Sequence, residues 1–410
     1  MPETPPSLLL LPAPPSPATF SALQTAYQPP LTSVLGKLHA QSLETSSTAN
    51  LTIAVAYSAL AGNKYARKRH VRWQSAQSLL AGLYSLVSAI CAEKGILSYT
   101  DAGAGGVDVR IVIVDHEKGT KYEKGFDGKY PTNSTCVQSL ATYASTVYPW
   151  GNIYHPSCEA SYALLSHFLA IAETRQTIKQ SQIIAVEGGL HLSTETASAS
   201  DDISSLPGDY GVVCLGGTFD HLHPGHKLLL HAVALLLQIP EAGKSPEPSV
   251  IVIGISVDDL LKKKKYAEQL ESWDVRALNV LRFLATVLGS SPTTATITTT
   301  KKDISSAELH ASFRDGTVLV RCVELQDPFG PTTEEESIEA IVVSGETRSG
   351  GSAINDRRTA KDWASLAVYE IDVLDASGTV DGDTRATDNF ASKLSSTAIR
   401  QRIFESNQNK

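Results

Sequence analysis

Apolar residues in this chain come as short, solid runs separated by polar stretches, and the runs set the expected elements. Ser7–Leu11 (SLLLL), Leu51–Tyr57 (LTIAVAY), Val109–Asp115 (VRIVIVD) and Ile183–Val186 are short and almost uniformly apolar, which predicts strands buried on both faces. Gln74–Ala92 and Tyr162–Ala172 crowd apolar residues at helical spacing and predict helices. Ala102–Gly106 and Gly119–Tyr130, rich in glycine, read as loops. Further along, the alternation is cleaner. Strands are expected at Gly211–Leu215, Val250–Val257, Ala295–Thr300, Val318–Leu325, Ala340–Ser344 and Ala367–Leu374. Helices are expected at Gly225–Leu237, Asp274–Leu288, Ser352–Leu366 and Ser396–Glu405. In the second of these, Val275, Leu278, Leu281 and Leu284 fall on one face.

Strands alternating with helices predict an α/β class, with a mostly parallel sheet in the C-terminal half. Residues 191–209 are small, polar and acidic without periodicity, and so read as a linker between an N-terminal α/β domain (1–190) and a C-terminal domain (210–410). Residues 376–392, rich in Gly and Asp, read as a loop before the last helix.

Composition narrows the class. The 410 residues are 42% hydrophobic, enough for two cores of ordinary size. A net charge of −8 argues against general nucleic-acid or anionic-membrane binding, while leaving room for a local basic pocket. The N-terminus lacks a basic segment ahead of its apolar run, and no apolar stretch approaches the ~18–20 residues of a membrane span. Five cysteines, odd in number and never in CxxC spacing, fit a reducing compartment. A cytoplasmic location is expected, with a nuclear one left open by the lysine run 262–265.

Candidate chemistry concentrates in residues 210–227, YGVVCLGGTFDHLHPGHK. Gly216 and Gly217 follow the strand with no side chain to block a phosphate from main-chain N–H groups. Thr218, Phe219 and Asp220 continue the loop, and Pro224-Gly225 mark a helix start. His223 and His226, three apart, share a face there, beside the free N–H groups of the helix terminus. The stretch reads as an anion cradle with two imidazoles aimed into it. A zinc site from His221, His223, His226 and Cys214 is the competing reading; it suffers from Cys214 lying inside the strand.

GGTFDHLHPGHK resembles the signature of the HxGH nucleotidylyltransferase superfamily. Three further segments, LQDPFGP (325–331), IVVSGETRSGGSAINDRR (341–358) and LSSTAIR (394–400), resemble the archaeal and eukaryotic type of pantetheine-phosphate adenylyltransferase. The likeness covers about residues 210–405 and implies a Rossmann-like parallel-sheet nucleotidylyltransferase domain. It implies transfer of AMP from ATP, with its Mg²⁺, to 4′-phosphopantetheine, giving dephospho-CoA and pyrophosphate without a resident metal. By the same likeness His226 meets the α-phosphate, His223 the β and γ oxygens, and Lys262 or Lys264, Arg358 and Arg400 neutralise the triphosphate. Ser344, Glu346 and Thr347 would bond the adenine or ribose, with Gly350 and Gly351 permitting close approach. Asp327 either meets phosphopantetheine or fixes its turn. In the last motif Ser395 and Ser396 stand where capping hydroxyls belong, Thr397 starts the helix, and Arg400 returns to the same face as Ser396 and Thr397.

Other readings are a different acceptor, such as nicotinamide mononucleotide, a CTP-dependent reaction, or a non-catalytic scaffold that keeps the nucleotide pocket. For residues 1–190 a scaffold or a decayed nucleotidylyltransferase-like domain are both open, and the basic run Lys64–Arg72 reads as a solvated face. No GxxxxGK[ST] phosphate loop occurs, so the expected partner is a separate dephospho-CoA kinase.

Overall fold

The computed structural model describes residues 5–63, 66–116, 132–190, 206–290, 300–302, 308–371 and 395–408. The expected loops at 119–130 and 376–392, most of the linker and most of the strand at 295–300 lie outside the described residues. One compact unit runs to Pro207 and a second begins at Gly208.

The first unit is built on a six-stranded sheet. Its strands are β1 (Ser7–Leu11), β2 (Ala49–Ala56), β5 (Val107–Asp115), β6 (Gln138–Ser139), β7 (Ile153–Pro156) and β8 (Ile183–Val186), in the order β6-β5-β2-β1-β7-β8. Every pair is parallel. A small hairpin, β3 (Leu60–Ala61) and β4 (His70–Val71), is inserted after β2. Helices α1 (Phe20–Thr45) and α2 (Trp73–Lys94) follow β1 and the hairpin, while α3 (Leu140–Thr146) and α4 (Glu159–Ala172) flank β7. Leu8, Leu10, Ala54 and Val112 form a core with Leu140, Leu164 and Phe168 of α3 and α4. Helix α2 is long and apolar enough to cross a membrane, against the sequence expectation, yet 72% of its most apolar stretch is buried inside the fold. It is a core helix of this unit.

Helix α1 was invisible in the apolar pattern because Pro29 and Pro30 lie inside it. Their missing N–H groups release the carbonyls of Thr25 and Ala26 from the helical ladder. The backbone at Gly189, just past β8, lies against those two carbonyls, so closely that a methyl group there would overlap both. The basic run also differs from the solvated face expected. Arg69 is 6% exposed, paired with Asp115 at 2.7 Å and bonded to the Leu60 carbonyl.

The second unit holds a seven-stranded sheet in the order β11-β12-β13-β10-β9-β14-β15. The strands are β9 (Val212–Gly217), β10 (Ser249–Ser256), β11 (Thr300–Lys302), β12 (Glu308–Phe313), β13 (Val318–Leu325), β14 (Ala340–Val343) and β15 (Ala367–Glu370). Strands β13 to β15 across the order are parallel, and β12 and β11 extend one edge antiparallel. This is the mostly parallel, helix-covered sheet expected from the sequence. The helices are α5 (Pro224–Leu236), the short α6 (Asp258–Leu261), α7 (Trp273–Val287), α8 (Arg348–Thr359) and α9 (Ser396–Gln408). On α7 the buried stripe is Trp273, Arg276, Ala277, Val280, Leu281 and Leu284, whereas Val275 is 42% exposed. The stripe is turned by about one residue from the face the apolar residues alone suggested.

Candidate active site

The chain leaves β9 toward β10 on one side and returns to β14 on the other, so the order reverses between β9 and β14. Ligands of open parallel sheets sit at such a point, off the carboxyl ends of the strands. The loop after β9 lies there. Phe219 and His221 both take left-handed backbone, φ 53° and 45°, which a bulky side chain adopts only when its surroundings enforce it. Gly217 makes room for this turn: a Cβ there would stand 2.9 Å from the Phe219 ring. Gly216 lies opposite Gly254 in the β9–β10 register, and both face the Leu325 side chain.

His223 caps α5 without a side-chain bond to it, Pro224 opens the helix, and Gly225 and His226 complete the first turn. Its early N–H groups are therefore left to an outside acceptor. The His223 and His226 rings stack at 3.9 Å between centroids, 23° apart, with Phe219 against His226 at 5.4 Å. Both Nδ1 atoms are buried without a hydrogen-bond partner. Burial, then the neighbouring Lys227 and His221, pull His223 down to about 3. Burial and then His223 hold His226 well below the usual histidine range. Both imidazoles are neutral at pH 7, each with one N–H to donate and one lone pair.

The lysines divide. Lys264 donates to the Thr218 hydroxyl at 3.1 Å, and burial, followed by Arg400, lowers its affinity for a proton. Lys262 is 74% exposed and pairs with Asp259 at 2.6 Å. Among the candidate lysines, Lys264 is the one the fold brings to the glycine loop.

Asp220 and Arg400 meet as a buried ion pair at 2.6 Å, 0% and 1% exposed. Arg400 also donates to the Lys265 carbonyl and the Thr397 hydroxyl, and Asp220 accepts from the Glu271 N–H. The Ser396 hydroxyl donates to the Asp220 carbonyl, and the Ser395 hydroxyl accepts from the Ala398 N–H as the cap of α9. These contacts bring the SSTAIR motif onto the loop after β9.

Arg358 goes elsewhere. It is 1% exposed and donates to the carbonyls of Thr332, Glu335, Glu336, Ile338 and Ala364. Four of these bonds pin the segment after the DPFGP turn and the fifth holds the stretch that follows α8, so Arg358 is a clip in the fold and not a free cation for the triphosphate. Asp327 serves that turn too: its Oδ1 accepts from Phe329 and Gly330, bonds that hold its carboxyl below the usual range. Ser344 and Thr347 bond each other at the end of β14, and the side chain of Glu346 lies outside the described residues. Gly350 has open space around it, whereas Gly351 packs against Val368.

Among the described residues no cluster of His, Cys, Asp and Glu forms a metal cage, and Cys214 is 3% exposed within β9, so the zinc constellation is not assembled. Two residues missed in the sequence belong to the site's frame. Glu271 accepts the His221 N–H at 2.8 Å. Arg276 bonds the Thr218 carbonyl at 2.6 Å. No signal in the sequence pointed to Arg276, because the face suggested by Val275, Leu278, Leu281 and Leu284 passes beside it.

A family model described as cytidylyltransferase-like matches residues 214–402, and one described as a domain of unknown function matches residues 1–192. The phosphopantetheine adenylyltransferase of Saccharomyces cerevisiae is 33% identical over 197 residues, 48% of this chain and 50% of that one. That of Pyrococcus abyssi is 30% identical over 40% of this chain and 78% of its own length. The similar region thus spans about half the yeast relative and most of the archaeal one.

Proposed function

The chain belongs to the phosphopantetheine adenylyltransferase family of cytidylyltransferase-like nucleotidyltransferases, and on that premise we propose that its C-terminal half transfers AMP from ATP to 4′-phosphopantetheine. The stacked, neutral His223–His226 pair at an uncapped helix start carries this reading. An imidazole N–H can bond a phosphoryl oxygen, and the adjoining main-chain N–H groups add donors that need no reorganisation. ATP enters as its magnesium salt. A phosphate oxygen of 4′-phosphopantetheine attacks the α-phosphorus, the bond from that phosphorus to the bridging oxygen breaks in line, and pyrophosphate leaves. A phosphate dianion is already a competent nucleophile, so positioning and charge stabilisation suffice.

His226 bonds the α-phosphoryl oxygens as their charge grows, His223 the β and γ oxygens, and Lys264 follows the leaving pyrophosphate from Thr218. Arg400 reaches the phosphates only by sharing or leaving Asp220. The dephospho-CoA formed would pass to a dephospho-CoA kinase on another chain, in the cytoplasm. Pyrophosphate release tests the reading, with ATP or CTP offered against 4′-phosphopantetheine, nicotinamide mononucleotide and small phosphates. Release is expected with ATP and 4′-phosphopantetheine alone; a faster rate with any other pair overturns it.

A further inference from the structure

Arg276 lies under the loop after β9, on the buried stripe of α7, and is 0% exposed. Its guanidinium donates to the carbonyls of Thr218 (2.6 Å), Ser256 (2.9 Å) and Glu271 (3.0 Å) and pairs with Asp258 at 2.5 Å. A buried guanidinium is tolerable only when its donors are satisfied. Here three of the four acceptors are main-chain carbonyls from separate stretches: the loop after β9, the end of β10, and the lead-in to α7. A planar fork that matches three carbonyls fixes their mutual geometry.

We propose that Arg276 is the positioning residue of this site, holding the Thr218–Phe219 peptide in the turn that presents the loop's donors to the triphosphate. It rests on the adenylyl-transfer reading above. In a trans peptide the carbonyl and the following N–H point in opposite directions. Drawing the Thr218 carbonyl down to Arg276 therefore turns the Phe219 N–H away from the core. Among the described residues that N–H meets no acceptor. Phe219 is also where the backbone turns left-handed, a conformation that needs outside support. Thr218 is gripped twice, its carbonyl by Arg276 and its hydroxyl by Lys264. The stretch that carries Lys264 starts at Asp258, which Arg276 also holds. One guanidinium thus sets both the glycine loop and the lysine arm. Being fully buried, it touches no substrate.

The test uses the full chain with R276K and R276A. In unliganded protein, exchange at the His221 amide, bonded to Glu271, is expected to quicken in R276K while the β10 amides and the first unit keep their protection. In turnover, kcat should fall about 10²-fold, the scale of a small misplacement of reacting groups, while the KM for 4′-phosphopantetheine stays near wild type. Guanidinium at a sub-denaturing concentration should restore part of the R276A rate, and methylammonium less. Wild-type protection at His221 in R276K, or a loss of protection spread evenly over the second unit, overturns the proposal. The exchange measurement needs no turnover, so a wild-type chain that releases no pyrophosphate sinks the reaction and still leaves Arg276 tested.

Discussion

The two halves of this chain share a strand order and differ in the loop after the first strand. Counting parallel strands in chain order and leaving aside the two-residue β6, both sheets run third, second, first, fourth, fifth. Both therefore offer a crevice at the carboxyl ends where the order reverses. In the second unit that crevice is floored by glycines, and α5 begins without a side-chain cap. In the first, the loop is Pro12-Ala-Pro-Pro-Ser-Pro-Ala-Thr19, and four prolines remove four N–H donors. Helix α1 is capped by its own Thr19, whose hydroxyl accepts the Ala22 N–H. After the second strand, Lys264 turns to the loop, whereas Arg69 and Arg72 are engaged with carbonyls of their own hairpin. The same frame carries glycines and an uncapped helix start once, and prolines and a capped helix start once; function is set by such loops and not by the fold.

The widest split should appear in turnover. H226A is expected to keep its fold and lose about 10²–10³ in kcat, the usual cost of one transition-state donor. The control in the first unit is His155, a buried histidine on β7, 3% exposed and bonded to the Pro156 carbonyl. His155→Gln should leave pyrophosphate release unchanged. Near-normal turnover in H226A, or a comparable loss in the His155 variant, would erase the distinction between the halves.

Within the second unit the cations divide in the same way. R358A strands five carbonyls in the interior and should cost about 3 kcal/mol or more in a denaturant titration, while K262A should leave the midpoint unmoved. If R358A instead keeps its stability and loses affinity for ATP, its placement as a clip is wrong. The sequence could not separate these residues. HxGH and SSTAIR are local patterns, legible because a helix start and a one-turn spacing fix their geometry. Arg358 and Lys262 differ only in what the chain folds against them. The sheets were readable from solid apolar runs. Helix α1 was not, because two consecutive prolines read as a helix break, and only the fold brings Gly189 into contact with the carbonyls they release.

That contact gives a smaller effect, confined to the first unit. Gly189→Ala places a methyl group on the carbonyls of Thr25 and Ala26 and should destabilise by about 1–3 kcal/mol, as overpacking does. Exchange should quicken in α1 and β8 while ATP turnover holds. Turnover that falls in step with the first unit's stability would mean the halves are coupled.

The last difference concerns acid. His223 binds its proton at about 3 in the folded chain, against an ordinary value near ~6.5 when unfolded. Between those values the unfolded chain holds more protons, so stability is complete above ~6.5 and declines as pH falls toward ~3, by at most about 1.4 kcal/mol per pH unit for one such group. His226 is shifted in the same direction, again chiefly by burial. In the first unit His155 is also lowered by burial, but the Pro156 carbonyl opposes the shift. H223N should therefore flatten the acid side of the stability curve, measured by denaturant midpoints from pH 7 to 4. Saturating ATP should flatten that limb too: triphosphate charge beside the imidazoles favours their cationic form and brings the folded pKa closer to the unfolded one. An acid limb that survives H223N unchanged would place the titrating group elsewhere.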